Sequence, residues 1–290
     1  MKAYVFPGQG SQIPGMGQNL YNDVSDSRSF FKKANKILNF NITELMFDGT
    51  SEDLLQTKVT QPAIFIHSVI LALTSKSFNP DVCAGHSLGE FSALVASKSI
   101  SFESGLKLVS IRANAMQRAC QITKGTMAAI LGLSDDIVES SCNDINGIVN
   151  PANYNCPGQL VISGEIEAVE KACKIFREIG AKRALILPVS GAFHSELMNS
   201  AADELKKAID ETEIKKPYCP IYQNFTGNSE IDPIKIKINL LNQLTSPVLW
   251  NQSVIKMIKD GVKEFYEVGP SRILQGLIRK IDRNIVVDKI

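Results

Sequence analysis

The sequence predicts an α/β protein: a large domain on a mostly parallel sheet, interrupted by a small unit of order β-α-β-β-α-β. Three observations carry this expectation. Short β-rich runs end in Gly or Pro and lead into helical periodicity, the pattern of βαβ units. Between Gly125 and Val189 the rhythm changes, with two strands in direct succession. And 290 residues at 44% hydrophobic content are enough to bury about three quarters of the unfolded surface without metal or disulfide staples.

The elements follow in order. Ala3–Phe6 reads as a strand ending in the loop PGQGSQIPGMG. Residues 27–40 are amphipathic, with Phe30, Phe31, Ala34, Ile37 and Leu38 on one face. The mostly apolar stretch 62–77 reads as a buried helix. Val82–Ala84 is a short apolar strand stopping at Gly85, and 88–97 is helical. A long helix runs from Ser101 to Cys120, with Ser101 and Glu103 at its start.

The middle strands are 126–133, GIVNPANYN and QLVISG, the last two joined by a Cys156-Pro157-Gly158 turn, and then 183–189. Helices at 135–145 and 166–180 separate them, which is the split βαβ, or ferredoxin-like, unit. The expected domains are therefore 1–124 with 190–290, and an inserted 125–189. The larger domain resumes with a helix near His194, then EFYEVG, a helix from Ser271 and a final strand IVVD. The loop at 226–233, TGNSEIDP, is the expected mobile connection.

Composition excludes several classes. Charges balance at 31 basic to 30 acidic, net +1, without the basic excess of a nucleic-acid binder. The six cysteines are widely spaced with no C-x-x-C and there are three histidines, so no zinc scaffold is evident and buried reduced thiols are expected. Neither a signal-peptide pattern nor an apolar run of membrane-spanning length is found. The expectation is a soluble intracellular protein.

The chemistry concentrates in GHSLG, residues 85–89. This G-x-S-x-G run lies between a strand and a helix, the context of a nucleophile elbow that lifts Ser87 out of the sheet. The Leu88 amide then faces a developing oxyanion at the head of the helix. A bare match arises in roughly one chain in ten of this length, so an ordinary βα turn stands beside the elbow reading. Of the histidines, His67 lies in an apolar helical run and reads as a core residue. His86 flanks the serine, its ring pointing away from Oγ. His194, after the small unit's last strand, is the candidate base, with a helix cap as the bland reading. Every Asp between Ser87 and His194 lies in the insert; a backbone carbonyl orienting Nδ1–H would leave a Ser-His dyad.

Arg112 shares a helical stripe with Leu108, Val109 and Met116. A cation there either snorkels to solvent or meets a carboxylate, and a guanidinium can grip a substrate carboxylate bidentately. Its helix runs into the insert and His194 follows it, so both are expected to share a cleft with Ser87. The PGQGSQIPGMG loop has Ile13 where a dinucleotide fingerprint needs glycine and Met16 where a P-loop needs lysine. What remains is a loop at a strand's C-terminal end, where Gln9 can donate to an oxyanion.

FPGQGSQ, GHSLGE, IRANAMQ, NYNCPGQLVISG, GAFHSELM, SPVLW and EVGPSRILQGL occur in this order and spacing. Together they resemble the malonyl-CoA:acyl carrier protein transacylases over essentially the whole chain. The resemblance implies an α/β-hydrolase-like large domain with a ferredoxin-like small one. It implies Ser87 as nucleophile, His194 as base then acid, Gln9 with the Leu88 amide as oxyanion hole, and Arg112 as the clamp on a malonyl carboxylate. It gives His86, Met116, Asn155 and Phe193 as pocket residues, and the main-chain carbonyl of Leu249 as the group holding the histidine. Phe193 immediately before His194 implies malonyl over methylmalonyl. The implied partners are malonyl-CoA and an acyl carrier protein, with no metal or redox cofactor, nucleic acid or membrane.

A monomer in a bacterial cytoplasm is expected, or a mature plastid enzyme. Arg272, Arg279 and Lys280 are candidate contacts to an acidic carrier, or simply a solvated helix face. A sister enzyme serving a polyketide carrier or hydrolysing stalled acyl groups shares the chemistry. A non-enzymatic adaptor and an ordinary serine esterase are the further alternatives.

Overall fold

Strand β1 (Lys2–Phe6) alternates between two cores: Tyr4 and Phe6 face one apolar cluster, Ala3 and Val5 the other. A strand covered on both faces belongs at the centre of a parallel sheet. The computed structural model describes residues 1–189 and 191–290; Ser190, the first residue of the expected second large-domain segment, lies outside them. Helices α1 (Gln18–Asp23), α2 (Ser27–Leu38), α3 (Ile42–Asp48) and α4 (Thr57–Thr74) follow β1. Helix α4 begins five residues before the expected start at Pro62. The proline sits inside it, and the hydrogen bond it cannot make falls on exposed Lys58.

Strand β2 (Val82–Gly85) leads through the elbow into α5 (Gly89–Ala96), and Ser101 caps the long α6 (Phe102–Ile122) by accepting from the Ser104 amide at 3.0 Å. The small unit comprises β3 (Gly125–Leu131), α7 (Asp135–Asn143), β4 (Val149–Cys156), β5 (Gln159–Glu165), α8 (Ile166–Glu178) and β6 (Arg183–Ile186). Its four strands are antiparallel in the order β4-β5-β3-β6, the ferredoxin-like arrangement. One face of β3, Ala128 and Ile130, packs with Val138, Val169 and Phe176 of its own two helices. The other, Met127 and Ala129, joins the core of the larger domain. Strand β6 stops short of the expected Val189, as Pro188 has no N–H to continue the ladder.

Beyond Ser190 the chain forms α9 (Asn199–Glu211), β7 (Ile221–Tyr222), β8 (Ser229–Glu230), α10 (Pro233–Gln243), α11 (Trp250–Lys259), β9 (Glu264–Glu267), α12 (Ile273–Ile281) and β10 (Val286–Lys289). The large sheet runs β10-β9-β1-β2-β7-β8, parallel except for the terminal β7–β8 pair. Two expectations change here. His194 does not open a helix: its φ of 59° is left-handed, and Ser195 caps a 3-10 turn before α9. The 226–233 segment is held on the sheet edge by β8, and Asp232 caps α10 by accepting from the Ile234 amide at 2.9 Å. Among the described residues no helix is long and apolar enough to cross a membrane. All six cysteines are buried.

Candidate active site

The elbow is forced by close approach. A Cβ on Gly85 would sit 1.9 Å from the carbonyl carbon of Gly89, and one on Gly89 would sit 2.0 Å from the Phe6 oxygen. Strand, turn and helix therefore meet at distances only glycine permits. Between them Ser87 takes φ 52°, a conformation costing about 1–3 kcal/mol for a side-chain-bearing residue. It is held from both sides. The Ser87 amide donates to Asn224 Oδ1 at 2.6 Å, and Gln243 Nε2 donates to the Ser87 carbonyl at 3.0 Å.

Ser87 Oγ lies 2.7 Å from His194 Nε2, and His194 Nδ1 lies 2.9 Å from the main-chain oxygen of Gln243. A carbonyl only accepts, so Nδ1 carries the proton and Nε2 is left to accept from the serine. This is the dyad read from the sequence, with a different anchor. Leu249 does not hold the histidine. Its carbonyl accepts from the Ser253 amide at 2.9 Å and hydroxyl at 2.8 Å, because Leu249 precedes α11 and its oxygen belongs to that helix's first turn. Gln243 ends α10, where the last carbonyls have no partner within the helix and are free to accept from elsewhere. Burial, and then the charge of Arg112, hold the His194 imidazole down to about 3. It is neutral at ordinary pH, as a base must be.

Arg112 is 1% exposed, which excludes snorkelling. Its Nη1 donates to Gln61 Oε1 at 2.6 Å, and its Nη2 to Ser87 Oγ at 3.0 Å and to Gln243 Oε1 at 3.4 Å. The guanidinium also lies over the Phe91 ring, 5.7 Å from its centroid. Burial lowers its pKa to about 10, opposed by the charge of Glu90. Among the described residues no carboxylate pairs with it directly. A buried cation on neutral protein partners, touching the candidate nucleophile, has the chemistry to receive an anion.

A cleft of about 280 Å³ opens over these groups. Gln9 and Leu88 line it on the elbow side, and Met116, Phe193 and His86 form further wall. The Gln9 loop is ordered by Ser11, whose hydroxyl donates to the Gly8 carbonyl at 2.8 Å. His86 turns away from Oγ, its Nε2 lying 2.9 Å from Asn155 Oδ1, and burial lowers its pKa. Asn155 thus bonds the His86 ring, and Asn153 rather than Asn155 lines the cleft. Strand β4 shifts register at Pro151/Asn153 and at Tyr154/Cys156, and such irregularities re-aim side chains. His67 is remote from the dyad and kept neutral by burial, its pKa down at about 4.

Sequence reasoning missed Gln61, Glu90, Asn224 and Gln243. Gln61 carried a signal of the kind that marked Arg112, a polar side chain inside the apolar stretch of α4. Glu90 closes the GHSLGE run. Asn224 and Gln243 reach the elbow from 137 and 156 residues away, with no local signal.

A family model described as the acyl transferase domain matches residues 3–287. The malonyl CoA-acyl carrier protein transacylase of Bacillus subtilis is 41% identical over 288 residues, 98% of this chain and 91% of that protein. The acyl carrier protein S-malonyltransferase of Vibrio cholerae is similar in structure at TM-score 0.95 and 42% identity, covering 100% of this chain and 96% of that one. A malonyl-transacylase solved in complex with a type II PKS acyl-carrier protein has TM-score 0.96 and 37% identity, over 100% of this chain and 95% of that one. With the match running from the first strand into the last, the chain belongs to the acyl transferase family and is an acyltransferase.

Proposed function

We propose that this protein transfers the malonyl group of malonyl-CoA to the phosphopantetheine thiol of an acyl carrier protein in fatty-acid synthesis, by way of a malonyl-Ser87 ester. The observation that carries this reading is Arg112, a buried guanidinium 3.0 Å from the Ser87 hydroxyl with neutral protein partners. Such a group suits an acyl chain ending in a carboxylate and offers nothing to a neutral ester.

His194 Nε2 takes the Ser87 proton as Oγ attacks the thioester carbon. The tetrahedral oxyanion rests on the Leu88 amide and the Gln9 side chain. Collapse breaks the C–S bond, and CoA leaves as a thiol with the proton from His194. The carrier thiol then attacks the ester in reverse, with His194 as base, and Ser87 recovers its proton. These steps use no metal or redox cofactor. Arg112 contributes twice. It fixes the carboxylate, and once that charge is met its field on His194 weakens, so the imidazolium formed in the transition state is less opposed.

Met116 and Phe193 bound the acyl pocket, which favours malonyl over methylmalonyl by the roughly 1–3 kcal/mol that one methyl commands. Acetyl transfer is poor, because it leaves Arg112 without its anion. Residues 1–124 and 190–290 form the catalytic domain in this reading, and 125–189 an insert whose β3 and β4 side supplies Met127 and Asn153 to the cleft. The protein acts as a monomer in a bacterial or plastid-type soluble compartment. Service to a polyketide carrier is the second reading, favoured by the similarity to the transacylase solved with such a carrier.

The test is intact-protein mass measurement after brief incubation with malonyl-CoA, methylmalonyl-CoA or acetyl-CoA without acceptor. A malonyl adduct on the wild type, weak with the other two donors and absent from Ser87→Ala, is expected. An unmodified wild type that releases no CoA overturns the reading.

A further inference from the structure

Glu90 has no place in the mechanism above, yet its surroundings are unusual. It is fully buried, at 0% exposure, in the first turn of α5. Among the described residues its carboxylate receives three N–H groups and no cation: Gln223 Nε2 at 2.7 Å, the Asn224 amide at 3.0 Å and Gln243 Nε2 at 2.8 Å. A group that only accepts is thus surrounded by groups that only donate. The Gln243 amide has one possible orientation, since its Oε1 faces Arg112 and its Nε2 faces the Ser87 carbonyl.

Two of these three partners continue into the reacting pair. Asn224 takes the Ser87 amide on Oδ1 and donates from Nδ2 to the Gly85 carbonyl at 2.6 Å, gripping both sides of the elbow. Gln243 holds the Ser87 carbonyl with its side chain and His194 Nδ1 with its main chain. Gln223 is itself anchored by Asn239 Nδ2 at 2.7 Å. Nucleophile and base come from segments 107 residues apart, and their alignment converges on one carboxylate.

We propose that Glu90 is a positioning residue for acyl transfer: its buried carboxylate fixes Gln243 and Asn224, and through them sets Ser87 and His194 at reacting distance. The inference rests on the reading of Ser87 and His194 as nucleophile and base. An amide in place of the carboxylate would present an NH2 to a ring of donors, so Gln243 would have to turn and release the Ser87 carbonyl.

The experiment is the pre-steady-state rate of CoA release from malonyl-CoA by the full chain, for wild type, Glu90→Gln, His194→Ala and the double variant. Glu90→Gln should slow acylation by roughly ten- to a hundredfold, the range for removing an outer partner of a reacting side chain. The malonyl-CoA concentration for half-maximal rate should move less than about threefold, because Arg112 keeps its bond to Gln61 and its place beside Ser87. On the His194→Ala background the same change should cost clearly less than in the wild type, since the part that runs through the histidine is gone and only the hold on Ser87 remains. Acylation at the wild-type rate, a loss that multiplies fully with His194→Ala, or a rise in half-saturation matching the fall in rate overturns the proposal.

Should Glu90→Gln not fold, Gln243→Met decides. It keeps the main-chain carbonyl on His194 and the Glu90 carboxylate while removing the side-chain bonds that run from Glu90 through Gln243 to the Ser87 carbonyl and Arg112, so slowed acylation with a smaller change in half-saturation supports the proposal. The wild-type rate overturns it. A wild type that is never acylated brings down the functional reading as well, whereas an active wild type with an equally active Glu90→Gln brings down this inference alone.

Discussion

Two buried regions of this molecule are built on opposite terms. Between the small sheet and its helices lie Ile130, Leu160, Ile162, Val169 and Phe176, all apolar and all buried. Beneath the elbow lie Gln61, Glu90, Arg112, His194, Gln223, Asn224 and Gln243, buried to 4% exposure or less, with left-handed backbone at Ser87 and His194. The first arrangement gains stability from each side chain it hides. The second spends stability on desolvated charge and strain, recovers part through hydrogen bonds, and keeps one cation unmatched by protein. That difference separates a wall from a reaction centre.

Four changes would break or sharpen the contrast, ordered from the largest effect. Ser87→Ala should remove the acyl adduct altogether while leaving the thermal midpoint near wild type, read by intact mass and calorimetry. Phe176→Ala should do the reverse. It empties the small core at a cost of about 3–5 kcal/mol, read by denaturant titration, with acylation per folded molecule retained. Arg112→Met should slow malonyl acylation by about a hundredfold, on the order of 3 kcal/mol of lost carboxylate recognition. Its stability should stay within about 1 kcal/mol of wild type or rise, because a buried unmatched cation is exchanged for an apolar chain. A large stability loss would show that the cation stabilises the fold. Asn155→Ala should cost only about 0.5–1.5 kcal/mol, the value of the hydrogen bond to His86, with acylation changed a few-fold at most.

The pH dependence sharpens the same point. The native-state pKa of His194 is depressed to about 3 by burial and by Arg112, so its neutral form survives far into acid. The acid limb of the acylation rate should lie well below the ordinary imidazole value of about 6.5. In Arg112→Met it should move to higher pH, since a neighbouring positive charge has been removed. For stability the sign runs against acid. The unfolded chain binds the proton below pH ~6.5 and the folded chain does not. The contribution of His194 is therefore complete above that value and is lost as pH falls toward about 3. His67, depressed to about 4 by burial, adds to the same loss; an acid limb at the ordinary imidazole value would contradict the arrangement.

Much of the layout was legible beforehand, and the parts that were not share a cause. Strand and helix positions followed from local periodicity: Ala128 and Ile130 alternate with Met127 and Ala129, and Ser101 caps α6 through its own neighbour Ser104. Ser87 stood out through glycines two residues either side, and Arg112 through its apolar stripe. Misplaced features depended on where distant chain ends fall. Leu249 was expected to hold His194, but that carbonyl is consumed by the helix it starts, whereas Gln243 ends one. Asn155 was expected on the pocket wall, but it bonds His86 while Asn153, on the same irregular strand, lines the cleft.

By itself, then, the sequence determined the elements, the elbow and the candidate side chains that the fold brings together, because spacing within a few residues dictates helix, strand and turn. Tertiary structure alone decided which oxygen steadies the histidine, that Arg112 meets no carboxylate, and that a buried Glu90 gathers Gln243 and Asn224 behind the pair. Those contacts span more than 130 residues of chain for Glu90. Hydrogen bonds depend on angstroms and angles that no sequence interval records.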